Sequence, residues 1–90
     1  MYNYEILPNL ISILNKLSKK DKVLYEQVFK KIKEVINSSD VEHYKNLRHD
    51  LKDCKRVQIG HFVLVFRFDR TNNTIYFEDF DHHDNIYNRK

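Results

Sequence analysis

The segment Phe62-Val63-Leu64-Val65-Phe66-Arg67-Phe68 constrains this chain more than any other. Phe62, Leu64, Phe66 and Phe68 fall on one face of a strand, and Val63, Val65 and Arg67 on the other. A face so rich in aromatic carbon needs an apolar layer to cover it, and the N-terminal third supplies one. Pro8 stands where a first helical turn accepts a residue without an N–H. Leu10, Ile13, Leu14 and Leu17 follow at helical spacing. Ser18 with Asp21 three residues later resembles a capping box that opens a second helix. In that helix Tyr25, Val28, Phe29, Ile32, Val35 and Ile36 make a buried stripe, while Lys30, Lys31 and Lys33 fall mostly opposite, as on a solvated face.

The remaining strands follow from period and turn chemistry. Tyr2 to Ile6 reads as a short strand. From Lys55 to Ile59, Val57 and Ile59 alternate with Arg56 and Gln58, and Gly60, the single glycine, permits a tight turn into the aromatic strand. Thr71-Asn72-Asn73 is a hairpin turn, and Thr74 to Phe80 the last full strand. The expected fold is α+β over residues 1–90 as a single domain. It comprises a short N-terminal strand, a two-helix antiparallel hairpin, then a three-stranded antiparallel meander that completes a four-stranded sheet. The helices lie on one face and the other face is at least partly open.

Composition narrows the class. One cysteine among 90 residues excludes a disulfide framework and a cysteine-based zinc cage. No apolar run approaches the roughly 20 residues of a membrane span, and the N-terminus lacks the basic and apolar blocks of a signal peptide. A cytoplasmic protein is expected. The net charge of +3 favours a polyanionic or acidic partner. The charge is uneven, with lysine and arginine prevailing from Lys16 to Arg67 and acids from Glu78 to Asp84.

That acidic stretch, Glu78 to Asn85, holds four carboxylates and two histidines. Read as a strand, it sets Asp79, Asp81 and His83 on one face and Phe80, His82 and Asp84 on the other. Three ligands spread along extended chain span too far to meet one ion, so no metal and no cofactor is expected. An aspartate beside His83 would instead orient the ring and favour its charged form. The plain alternative is a solvated acidic segment. Cys54 reads as a small packed residue, His43 and His49 as surface or packing residues, and Phe66 and Phe68 as core.

The helical pair, then HYKNLRHDLKDCKRVQIGHFVLVFRFD, then HHDNIY, resembles the RelE/ParE superfamily of toxins from type II toxin–antitoxin pairs, with the RelE branch favoured. The resemblance covers nearly the whole chain. It implies a cognate RelB-like antitoxin as partner and, for the RelE branch, cleavage of messenger RNA on the ribosome, with no membrane and no DNA contacted by the toxin alone. The ParE branch, which inhibits gyrase without cutting RNA, is the alternative, as is a degenerate member that only binds antitoxin.

Cleaving RNA without a metal requires a base, an acid and cations for the pentavalent phosphate. The resemblance assigns His83 and Tyr87 to the family's C-terminal functional positions. Arg56 and Arg67, which project by parity from the face opposite the aromatic core, complete the candidate catalytic set. Arg48, Lys52, Lys55 and His61 are candidate RNA-binding groups. Many family members have arginine in a G-x-aromatic-Arg pattern where Gly60-His61-Phe62-Val63 ends in valine. Arg67 lies about 13 Å further along the strand, so either Arg56, His61 or Arg48 supplies the missing charge or this member is a weak or differently specialised nuclease.

Overall fold

A computed structural model describes residues 2–47 and 54–88. The chain forms β1 (Asn3–Ile6), α1 (Pro8–Lys20), α2 (Lys22–Ile36), a 3-10 turn (Val41–His43), β2 (Cys54–Ile59), β3 (Phe62–Asp69), β4 (Thr74–His82) and α3 (His83–Asn88). The four strands make one sheet in the order β1-β4-β3-β2. β2, β3 and β4 form the antiparallel meander, and β1 lies parallel to β4. This is the expected α+β architecture.

The aromatic face is the core. Leu64, Phe66 and Phe68 pack with Ile75, Phe77 and Phe80 beneath Leu10 and Leu14 of α1 and Val28, Ile32, Val35 and Ile36 of α2. Tyr25 and Phe29 contribute at its margin, their rings edge to face at 4.9 Å. Pro8 occupies the first turn of α1. The cap of α2 departs from the capping-box expectation: Ser18 lies within α1, its hydroxyl donating to the Asn15 carbonyl. Asp21, the single residue between the helices, is the N-cap and accepts from the Leu24 N–H. A carboxylate caps an N-terminus well because it also meets the positive end of the helix dipole.

Two features of β4 depart from simple alternation. A register shift opposite Val65 and Phe66 leaves Glu78 as the extra residue of a bulge, since Val65 pairs with Asp79 and Phe66 with Phe77. The bulge brings Ile75, Phe77 and Phe80 all to the core despite their change of parity. The Glu78 carbonyl accepts from the Asn9 amide, 3.1 Å away on α1. Beyond Phe80 the strand runs on to His82, and the chain then turns into α3. His83 is therefore a helical residue and does not share a strand face with Asp79 and Asp81. α3 lays Ile86 over Val63 and Val65, forming a second small core with Leu47, Cys54 and Tyr87 at its edge. The face expected to be at least partly open thus carries a small helical cover.

Candidate functional site

Two strands and the short helix assemble the candidate site. β2 presents Arg56 beside Val65 of β3. α3 carries His83 and Tyr87, whose side chains meet one turn apart with ring centroids at 4.6 Å. The guanidinium carbon of Arg56 lies 5.9 Å from the centre of the Tyr87 ring, within cation–π range. Arg56, Tyr87 and His83 therefore form a continuous row at the edge of α3. The row supplies a fixed cation, a phenol and an imidazole, a set that can hold an anion and move a proton.

Hydrogen bonds fix the base of α3. The His83 N–H donates to the His61 carbonyl at 2.8 Å, joining the β2–β3 turn to the end of β4. Asp81 accepts from the His82 N–H at 2.7 Å and from the Asn85 amide at 3.1 Å. The Asp84 carboxylate stands 3.5 Å from His83 Nδ1 and 3.8 Å from His82 Nδ1. The aspartate expected beside the His83 ring is thus Asp84. The Asp84 N–H also donates to His82 Nδ1, so that nitrogen acts as an acceptor. The His61 ring stacks on His82, with centroids 6.1 Å apart and planes 18° from parallel.

Other expected site residues lie elsewhere. Lys55 points to the core side, is buried, and donates to the carbonyls of Glu42 and Tyr44 and to the Asn46 side chain. Its ammonium holds the 42–46 segment against β2 and offers no surface charge. Arg67 sits at the other end of the sheet face, donating from Nε to Glu78 at 3.0 Å and lying 4.8 Å over the Tyr76 ring. Val63, at the position where many family members have arginine, is buried beneath Ile86. Arg48 and Lys52 lie outside the described residues. Among the described residues no group of three or more His, Cys, Asp and Glu side chains is arranged to hold a metal ion.

The sequence reading missed Tyr76 and Glu78 as companions of Arg67. The signal was present in the hairpin: pairing Asp69 with Thr74 across the turn sets Arg67 directly opposite Tyr76. Cys54 is the partner of Arg67 on the other side. Burial raises its thiol pKa and nearby Glu78 raises it further, with Arg67 opposing, so it stays a thiol at neutral pH.

Two solved structures share this fold. The isolated Escherichia coli RelE toxin superposes with a TM-score of 0.70 over 91% of this chain and 84% of its own, at 20% identity. The toxin–antitoxin complex RelBE2 of Mycobacterium tuberculosis gives 0.64 over 90% and 96%, also at 20% identity. The fold is that of RelE toxins. No family model matches the sequence. A Methanocaldococcus jannaschii protein named "Putative toxin RelE4" is 54% identical over 91 aligned positions, covering all of this chain and 95% of the relative. An uncharacterized protein of Methanosarcina mazei is 41% identical over 97% of this chain and all of its own. The chain belongs to the RelE/ParE superfamily of type II toxin–antitoxin toxins, in its RelE branch.

Proposed function

We propose that this toxin is an endoribonuclease that cuts messenger RNA on the ribosome and is neutralised by a cognate RelB-like antitoxin. The row Arg56–Tyr87–His83 carries the reading. His83 moves the proton between the attacking 2′-hydroxyl and the leaving 5′-oxygen, because imidazole exchanges protons near neutral pH. Arg56 takes the charge that develops on the phosphate, replacing the arginine absent at Val63. Tyr87 orients both groups. A protein that acts on ribosomes works in the cytoplasm, and among the described residues no helix is long and apolar enough to cross a membrane.

Induced expression without antitoxin, followed by mapping of messenger 5′ ends, tests the proposal. Growth should stop and new ends should appear within translated frames. His83→Ala should lower cleavage by roughly 10²–10⁴-fold, the range for loss of a general acid or base, while antitoxin still copurifies. Wild-type cleavage by His83→Ala would remove the histidine from the mechanism. The buried Val63 favours one second reading, a toxin that arrests growth through a protein target. Arrest with intact messengers would select it.

A further inference from the structure

The face that carries the Arg56–Tyr87–His83 row has a second, separate cluster. Arg67 and Tyr76 are direct partners across β3 and β4, and the guanidinium lies over the phenol ring at 4.8 Å. Glu78 accepts from Arg67 Nε at 3.0 Å. The bulge that places Glu78 here is braced from behind by Asn9, which donates to the Glu78 carbonyl. The Arg67 and Glu78 side chains remain 47% and 31% exposed, so the cluster is accessible to a ligand.

An arginine already paired with a carboxylate is a poor clamp for phosphate, since the carboxylate repels a second anion. A guanidinium stacked on a phenol still offers a flat polarizable surface, and stacking of a base on such a surface tolerates any sequence. The ionised carboxylate at its rim only accepts hydrogen bonds, so it discriminates: it fits a base edge that presents an amino group and opposes one that presents a carbonyl. We infer that Arg67, Tyr76 and Glu78 form a nucleotide subsite that reads a base with an exocyclic amino group next to the nucleotide held at Arg56 and Tyr87. Arg56 is level with Val65, and Arg67 lies two residues further along β3. Because Arg56 stands on the neighbouring strand, the separation is a diagonal of about 7–8 Å, within reach of the next nucleotide of an extended, unstacked RNA strand. The inference rests on the nuclease reading and moves Arg67 from phosphate chemistry to base selection.

The test uses full-length toxin, purified ribosomes and messengers that differ only in the base adjoining the cut. The unmutated toxin should cut before or after an amino-bearing base about fivefold or more better than at uracil, the discrimination of one good base contact. In Glu78→Gln the amide can turn either its oxygen or its nitrogen to the base, so the ratio should fall below about twofold. Tyr76→Leu should lower the same ratio, which gives a second variant that alters the platform alone. An unchanged ratio in both variants overturns the inference. So does a changed response to antitoxin with the base ratio intact, which would assign the cluster to a protein partner. If the unmutated toxin cuts no messenger, the nuclease reading itself fails and the subsite falls with it.

Discussion

The two faces of the sheet are built from the same strands and solve opposite problems. One face buries Phe66, Phe77 and Leu64 under two helices of 13 and 15 residues. Among the described residues, the other buries Val63 and Val65 under Ile86 of a six-residue helix, and lines the margin with arginine, tyrosine and histidine. The first face holds the apolar area that stabilises the fold. The second has just enough cover to pin α3 in place, which leaves polar groups near solvent where a ligand can reach them. Stability and candidate chemistry are thus separated by strand parity.

Substitutions can sharpen or break that division. Phe66→Ala should have the largest effect on stability, about 3–5 kcal/mol for a fully buried ring, read as a lower denaturant midpoint. Such a loss is a large fraction of the roughly 5–15 kcal/mol that holds a domain folded. Ile86→Ala should cost about 2 kcal/mol, the low end for a buried isoleucine because its site is small and shallow. Its effect on cleavage should exceed its effect on folding, since α3 holds Tyr87 and His83. Equal losses of stability in the two variants would show that the second core is not a minor one. The smallest effect is expected at the β3–β4 turn. Asp69 accepts from the Thr71 and Asn72 N–H groups and the Asn72 amide, and its pKa is held below the usual aspartate value chiefly by that amide. Its contribution is therefore present above the usual aspartate pKa and lost as pH falls through the lowered one. Asp69→Ala should flatten that acid limb slightly in pH-dependent melting, with no change in cleavage.

Legibility in the sequence followed the same division. The aromatic strand, both long helices and the hairpin turn could be read because period and turn chemistry are local properties. β4 could not be read to its end, because Thr74 to His82 changes parity at Glu78, and a bulge has no local signature when its stabilising donor, Asn9, lies 69 residues away. α3 escaped for a related reason. Six residues are too few to show helical period, and the helix is held by tertiary contacts, Ile86 on Val63 and Val65 and the bond from the His83 N–H to the His61 carbonyl. Lys55 looked like its neighbour Arg56 as a surface cation, but parity turns it inward, where the carbonyls of Glu42 and Tyr44 receive it. The grouping of His83 with Tyr87 and Arg56 was legible only through the family resemblance. Its geometry depends on where α3 lands.

The pairing of β1 with β4 has a temporal consequence. Asn3 stands beside Thr74 and Ile6 beside Phe77, so β1 lacks its described neighbour in the sheet until β4 has left the ribosome. Loop closure over such a distance comes late in folding. α3, with Ile86 as its anchor, forms later still in synthesis. The sheet of a nascent chain is therefore incomplete until β4 has emerged, and the candidate site until α3 has followed it.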